Sequence, residues 1–334
     1  MSWLRDNSKK WVKAAISETG ALRAAALLAP QSAVILMYHS VVEDPRQTAA
    51  TIRISQSRAS FERQMATLAR RFNVVTLDQV VSFVSEGLPI PRRSVVVTFD
   101  DGFADNFETA LPILTRYGIP ATFYVLVGAV DSGTPPWYCR LAYAFNSTMH
   151  GEWKQPNANF KFNLHDRDGK SAAMEAAWDI GAALSGSAQQ RMVEEVEATL
   201  EVQAIDARSR LMMNWDQVRA LKNAGHTIGG HSLTHPNLAH VSAGEARAEI
   251  FGCKEALEAM VGSPAKHFCY PHPALNPQWT PDTKEITREA GFQSAVLTTP
   301  GSVRRGDDIL SLRRIPASED SERWIWDLER AFVG

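Results

Sequence analysis

The sequence feature that most restricts the fold is a repeated alternation of short apolar runs with longer segments of helical periodicity. Apolar runs at 34–38, 94–99 and 121–127 begin the pattern, and runs at 227–230, 268–270, 294–298 and 312–315 continue it. Strands separated by helices indicate a parallel sheet, and seven or eight such units favour a barrel. An open doubly wound sheet is the alternative, but no glycine-rich phosphate loop follows any of these runs.

The alternation stops between residues 128 and 213. This segment holds helical runs around 171–184 and 188–202 and a polar loop near 154–170, and it is too long for a structureless connection. We therefore predict an α/β fold in which one barrel, residues 31–334, is interrupted by a helical insertion at 128–213. Residues 1–30 are predicted to form a separate N-terminal helical segment.

The N-terminal segment also bears on the cellular compartment. Its longest apolar stretch, 21–29, is short and carries Arg23, so it fits neither a secretory signal nor a membrane-spanning helix of about 20 apolar residues. We expect a cytoplasmic protein on this basis. Trp3, Trp11 and Ile16, with Lys and Arg residues between them, favour an amphipathic helix. That helix either packs on its own domain or makes a peripheral contact with the inner membrane.

Composition excludes several classes of site. The chain has 334 residues, with 35 Lys and Arg against 37 Asp and Glu and a pI of about 6.5, so no basic surface for nucleic acid is expected. The three cysteines lie far apart, which argues against a disulfide framework or a cysteine-based zinc site. A bound metal ion must therefore be held by histidine and carboxylate side chains.

Several predicted strands end in ionisable side chains. In a parallel barrel these ends share one rim, and that rim carries the functional residues of barrel enzymes. Each residue alone has an ordinary structural explanation, such as a turn or a surface ion pair, but their gathering on one rim predicts an active site. The residues are His39, Asp100, Asp101, His231, His235, His272 and Arg314.

Four of these residues have the chemistry of a metal-assisted hydrolase. His231 and His235 are four residues apart, so one helical turn after the strand would direct both imidazoles to a common point. Two imidazoles and one carboxylate form a facial set for a divalent cation. Because neighbouring residues leaving a strand point in different directions, only one of Asp100 and Asp101 should face the metal. The other is left free as a general base.

Two motifs, TFDDG at 98–102 and HSLTH at 231–235, resemble the first two motifs of the polysaccharide deacetylases, carbohydrate esterase family 4. The resemblance covers residues 34–315 outside the insertion. It implies a distorted (β/α)7 barrel that hydrolyses an N-acetyl group on an amino sugar. It also implies that Asp100 is the catalytic base and that Asp101, His231 and His235 bind one divalent metal ion, commonly zinc.

The family's last motif, a Leu-x-x-His whose histidine is the general acid, has no match after His272. Residues 36–39 near the N-terminus fit it well. This indicates a circularly permuted order, as in the bacterial poly-N-acetylglucosamine deacetylases of exopolysaccharide production. By this resemblance His39 is the general acid.

Two further departures concern the third motif and the acid histidine. The third motif lacks its usual arginine, whose role in orienting Asp100 we assign to Arg314. It has His272 at the aromatic position, where the backbone N–H would stabilise the oxyanion. No aspartate near residues 297–299 matches the one that usually orients the acid histidine.

The resemblance implies an N-acetylated glycan or a lipid-linked sugar as substrate. A deformylase or cyclic-amide hydrolase with the same metal site is one alternative, and a catalytically inactive carbohydrate-binding relative is another. Aromatic residues of the insertion either form its core or stack on sugar rings. They are Trp137, Tyr138, Phe145, Trp153 and Trp178.

Overall fold

The structure is a computed structural model that describes residues 25, 28–45, 48, 51, 54–156, 160–205, 210–272 and 275–333. Trp3, Trp11 and Ile16 of the predicted N-terminal helix lie outside the described residues, so that helix and its membrane contact stay predictions. Within the described ranges, no helix combines the length and apolar character that a membrane span requires.

The strands are short, and seven of them overlap the seven predicted apolar runs. In chain order they are β1 (Ser32–Tyr38), β2 (Ser40–Val42), β3 (Ser55–Ser57), β4 (Asn73–Val74), β5 (Ser94–Phe99), β6 (Ala121–Val125), β7 (Glu152–Lys154), β8 (Lys161–Asn163), β9 (Thr227–Gly230), β10 (His267–Cys269), β11 (Ser294–Val296), β12 (Val303–Arg304) and β13 (Ile315–Pro316).

A nine-stranded sheet forms the centre of the fold, in the order β11-β10-β9-β6-β5-β1-β12, with β13 also paired to β1 and β4 to β5. All of these pairs are parallel except β1 with β12. A parallel bridge between Val296 and Leu312 links β11 to the segment ahead of β13. The sheet therefore curls into an incomplete barrel, which confirms the predicted (β/α)-barrel fold.

The central strands are buried on both faces, which explains why they are continuous apolar runs rather than alternating ones. All six residues of β5, SVVVTF, are buried. Strand β1 runs parallel to β5 from Ala33 to Tyr38, so the residues that follow the two strands emerge side by side. This register brings His39 next to Asp100.

Helices surround the sheet, and several begin at the capping residues that the sequence supplies. They are α1 (Arg58–Arg71), α2 (Leu77–Ser85), α3 (Leu111–Tyr117), α4 (Val127–Ser132), α5 (Trp137–Ser147), α6 (Arg167–Ala182), α7 (Gly186–Thr199), α8 (Trp215–Asn223), α9 (Ala243–Val261), α10 (Pro281–Glu289) and α11 (Ser321–Ala331). Ser242 forms a capping box with Glu245 at the start of α9. A π-helical turn, Asn106–Ala110, precedes α3.

The insertion has a hydrophobic core of its own, built mainly from α5, α6 and α7. The stretch predicted as a polar loop near 154–170 instead contributes strand β8, which pairs antiparallel with β7. Trp153 and Phe162 face each other across this pair with ring centroids 5.7 Å apart, so the short hairpin packs one face on the insertion core. Trp137, Tyr138 and Phe145 are buried as well, as expected for core aromatic residues.

Candidate active site

The predicted metal ligands lie together in the structure. Asp101 Oδ1 is 3.3 Å from Nε2 of His231 and 3.7 Å from Nε2 of His235. All three side chains are buried, and the two imidazole centroids are 5.0 Å apart. Their three ligand atoms are close enough together to share one metal ion.

Hydrogen bonding makes this arrangement suitable for a cation. His231 Nδ1 lies 2.8 Å from the carbonyl oxygen of Cys269, which can only accept, so this nitrogen carries a proton. That leaves Nε2 to face Asp101 Oδ1 at 3.3 Å. Burial alone would lower the pKa of His231, but Cys269 and Asp101 raise it well above its ordinary value. The space between Nε2 and Oδ1 therefore favours a positive charge, which a proton or a metal ion can supply. The residues therefore fit a divalent metal ion.

The protonation of His235 is also suited to metal binding. Burial lowers the pKa of His235 to about 3, so its imidazole is neutral at physiological pH. A neutral imidazole offers a lone pair to a metal ion, whereas a protonated one does not.

The backbone at these ligands is strained. Asp101, Ser232 and His235 have φ angles of 73°, 64° and 65°, in the left-handed region that side chains other than glycine rarely adopt. The helical turn predicted for 231–235 is therefore wrong, because the segment is an irregular loop. Glu249 of α9 holds it by accepting hydrogen bonds from the backbone N–H groups of Leu233 and Thr234 at 2.8 and 2.9 Å.

Asp100 forms a buried ion pair with Arg314, and one of its carboxylate oxygens lies within 4.8 Å of a ring nitrogen of His231. The guanidinium donates to both carboxylate oxygens, with Nη1–Oδ1 2.7 Å and Nη2–Oδ2 2.6 Å. Arg314 is fully buried and also donates to the hydroxyl of Thr98 and the carbonyl of Leu297. The structure thus places Arg314 where the sequence assigned it, against the predicted base.

The electrostatics of Asp100 favour its ionised form. Burial alone would raise the pKa of Asp100, but the charge and hydrogen bonds of Arg314 lower it below its ordinary value. His39 Nε2 lies 3.9 Å from Asp100 Oδ2, and the His39 side chain is 23% exposed. A carboxylate and an imidazole with access to solvent therefore face the same space, as an acid and base pair requires.

The loop that carries His39 is fixed by two residues that follow the TFDDG motif. Asn106 donates to the carbonyl of His39 at 2.7 Å. Asp105 accepts from the hydroxyl of Ser40 at 2.6 Å and from the N–H of Val41 at 2.9 Å. Burial raises the pKa of Asp105 to about 6. These contacts hold the histidine through its backbone.

His272 lies at the same rim but apart from the other predicted residues. Its Nε2 is 3.3 Å from Oδ1 of Asn276, and burial lowers the pKa of His272. Within the described residues, no recorded side-chain contact joins His272 to Asp100 or to the metal ligands. Its predicted role requires only the backbone N–H and stays a prediction.

Open cavities flank the site on two sides. One of about 480 Å³ lies between the insertion and the 231–235 loop, where Trp137, Arg140 and Thr234 are among its lining residues. Another of about 730 Å³ is lined by residues that include His272 and Trp279.

Sequence reasoning missed four residues that support the site. Thr98 and Cys269 contact Arg314, and Asp105 and Glu249 hold the two loops that carry histidines. Thr98 and Asp105 left a usable signal, since Thr98 begins the TFDDG motif and Asp105 follows it closely. Cys269 and Glu249 act through contacts between distant segments of the chain.

The family model for polysaccharide deacetylase matches residues 88–165 and 169–295, more than half of the chain. The chain belongs to the polysaccharide deacetylase family. This finding confirms the resemblance carried by the two motifs. The matched range includes Asp100 and the three predicted metal ligands, whereas His39 and Arg314 lie outside it.

Two curated relatives match parts of the chain. A putative polysaccharide deacetylase YxkH of Bacillus subtilis is 29% identical over 98 residues, which are 29% of this chain and 33% of that protein. The poly-beta-1,6-N-acetyl-D-glucosamine N-deacetylase of Staphylococcus aureus is 36% identical over 129 residues, 37% of this chain and 43% of that protein. The matches thus span a third to two-fifths of these relatives.

Solved structures of the family share the fold over nearly the whole chain. Streptococcus pyogenes deacetylase PplD in complex with acetate gives a TM-score of 0.60 at 19% identity, covering 91% of this chain and 99% of that one. IcaB from Ammonifex degensii gives 0.59 at 19% identity, with the same coverage. At this identity the comparison establishes the fold alone.

Proposed function

We propose that this protein is a metal-dependent hydrolase that removes N-acetyl groups from amino sugars of a bacterial polysaccharide or of its lipid-linked precursor. The proposal depends on one observation: the metal-ligand side chains and the Asp100–Arg314 ion pair lie next to each other at one rim of the barrel. Asp101, His231 and His235 form a buried ligand set, and Asp100 beside it is held ionised by Arg314.

One divalent metal ion is proposed at Asp101, His231 and His235, and zinc is the ion that suits two imidazole nitrogens and one carboxylate oxygen. When bound, such an ion polarises the acetyl carbonyl and lowers the pKa of a water molecule. The hydrogen bond from His231 Nδ1 to Cys269 keeps Nε2 free for the ion.

The remaining steps belong to the protein's own side chains. Asp100 accepts a proton as a water oxygen bonds to the acetyl carbon, and Arg314 keeps the carboxylate ionised and oriented for this transfer. Protonated His39, 3.9 Å from Asp100, donates to the leaving nitrogen as the carbon–nitrogen bond breaks. The backbone N–H of His272 donates a hydrogen bond to the oxyanion. The products are acetate and a free amine.

The substrate class is proposed from the chemistry of the rim and from the named relatives. The Staphylococcus aureus relative is by name an N-deacetylase of poly-beta-1,6-N-acetyl-D-glucosamine. The two cavities beside the site provide room for sugar units on either side of the reacting one. The chain's net charge of -2 is compatible with a glycan that is neutral before deacetylation.

The test measures acetate, formate and free amine released from N-acetylglucosamine oligomers, N-formyl analogues and lipid-linked amino sugars. We expect acetate and amine in equal amounts from an N-acetylated substrate. Asp100→Asn should abolish release while retaining metal, and His231→Ala should lose the metal. His165→Ala, at an exposed histidine of the insertion, is the matched control and should change neither.

Other outcomes would contradict the proposal. Release of formate in place of acetate would identify a deformylase. Purified protein that binds glycan without metal or turnover would indicate an inactive carbohydrate-binding relative.

A further inference from the structure

The insertion reaches the metal ligands through Tyr138, near the start of α5. The Tyr138 ring lies against the imidazole of His235, with centroids 4.9 Å apart. Trp137, next in the chain, donates from its indole nitrogen to the His235 carbonyl at 3.5 Å, the long limit of a hydrogen bond. Both aromatic residues are buried, so this contact excludes water from one side of His235.

The hydroxyl of Tyr138 has no hydrogen-bond partner among the described residues, although it is buried. Burying a donor without a partner destabilises the folded state, and a phenylalanine would fill the same core position without this cost. Within the ligand set, Asp101 Oδ1 is unpaired in the same way. A buried hydroxyl and a buried carboxylate oxygen at one site, both without a hydrogen-bond partner among the described residues, indicate that the site is completed by a bound ion and its surroundings.

The electrostatics of the phenol locate it relative to the ligands. Among the charged groups around the Tyr138 hydroxyl, the Asp101 carboxylate acts on it most strongly. A phenol keeps its proton at neutral pH, so this hydroxyl can donate to the Asp101 carboxylate. A neutral donor beside a carboxylate that binds a metal ion is the arrangement by which outer residues orient ligands.

We propose that Tyr138 is a positioning residue of the metal centre: its hydroxyl donates a hydrogen bond to the Asp101 carboxylate, and its ring fixes the imidazole of His235. The insertion then has a role in the active site, because α5 and its core hold Tyr138 in place. This inference rests on the proposed metal site, and its test separates the two.

The decisive variant is Tyr138→Phe, which removes only the hydroxyl. Tyr143→Phe, on the same helix and half-buried, is the matched control. Zinc affinity of the full chain is measured by competition with a chromophoric chelator. The geometry of the site is read from the visible absorption spectrum of the cobalt(II) form. Thermal unfolding of the metal-free proteins shows whether the fold is intact.

We expect Tyr138→Phe to weaken zinc binding by roughly 10- to 100-fold, the range found for outer ligands of this kind. The cobalt spectrum should change, while the metal-free protein should unfold at the same temperature or higher because a buried unpaired donor is gone. Tyr143→Phe should resemble the wild type in all three measurements. Tyr138→Leu, which also removes the ring, should weaken zinc binding further.

Two results would overturn the inference. One is a Tyr138→Phe protein whose zinc affinity and cobalt spectrum match the wild type, even if its turnover falls. The other is an equal loss of affinity in Tyr143→Phe. If the wild-type chain itself binds no zinc or cobalt, the proposed metal site fails, and that outcome is distinct from a refutation of the role of Tyr138 alone.

Discussion

Replacing Arg314 by methionine tests the buried ion pair that keeps Asp100 ionised. The guanidinium is fully buried and donates two hydrogen bonds to the carboxylate, one to Thr98 and one to Leu297. Methionine fills much of the same volume but leaves a buried carboxylate without a counter-charge. We expect the free energy of unfolding to fall by about 3–5 kcal/mol. The double variant with Asp100→Asn should recover part of this loss, since no uncompensated charge remains.

The stability lost in Arg314→Met should depend on pH, in a direction set by the pKa of Asp100. Burial raises this pKa, and Arg314 reverses the effect, so the folded value lies below the unfolded value of about 3.9. The wild-type carboxylate therefore contributes stability above the unfolded pKa and loses it as the pH falls through the folded pKa. In Arg314→Met the largest influence that remains on the Asp100 pKa is burial, which outweighs the weaker opposing effects of His231 and His39 and raises the pKa, so this variant should lose stability as the pH rises. The difference between the proteins should widen from about pH 4 to about pH 7.

Urea unfolding of the two proteins, kept metal-free with a chelator, measures this difference at each pH. Arg330→Met, at an exposed position of α11, is the matched control and should cost little. A cost for Arg314→Met below about 1 kcal/mol, the range of exposed ion pairs, would refute the reasoning. So would a difference that does not change with pH.

Three further predictions concern the loops that carry histidines. His39→Ala should lower the rate of deacetylation by roughly 10²- to 10⁴-fold, as loss of a general acid does. Its zinc affinity, measured by competition assay, should not change. A normal rate would exclude His39 as the general acid. Burial raises the pKa of Asp105 to about 6. The wild type should therefore lose about 3 kcal/mol of stability as the pH rises from about 4 to about 6. Urea unfolding of Asp105→Asn at the same pH values should not show this loss. Persistence of the loss in the variant would assign it to another group. Glu249→Gln weakens the contacts to Leu233 and Thr234 and should cost about 1–2 kcal/mol in urea unfolding, whereas an unchanged midpoint would mean that the loop holds its shape unaided.

The sequence predicted the barrel and the gathering of ionisable residues at one rim because both depend on local pattern. Continuous apolar runs identify buried parallel strands, and residues after such strands necessarily meet at one end. The separation of Asp100 from Asp101 follows from the alternation of side chains along a strand. The structure agrees, with Asp100 on Arg314 and Asp101 on the two histidines.

Contacts between distant segments account for what the sequence did not predict. Left-handed backbone at Ser232 and His235 replaces the expected helical turn, and Glu249, on a helix packed beside the loop, holds it in that shape. The approach of Tyr138 to His235 depends on how the insertion folds against the barrel, which periodicity within the insertion does not report. The hairpin at β7 and β8 was too short to show a strand pattern.

The central claim is that deacetylation requires one metal ion at Asp101, His231 and His235. It is tested most directly by adding zinc in small steps to the metal-depleted protein while acetate release from an N-acetylglucosamine oligomer is followed. We predict that the rate is negligible at first, rises in proportion to added zinc and reaches a plateau near one ion per chain. Full activity in the metal-depleted protein, or a rate that does not respond to zinc or to any other divalent ion, would contradict this account.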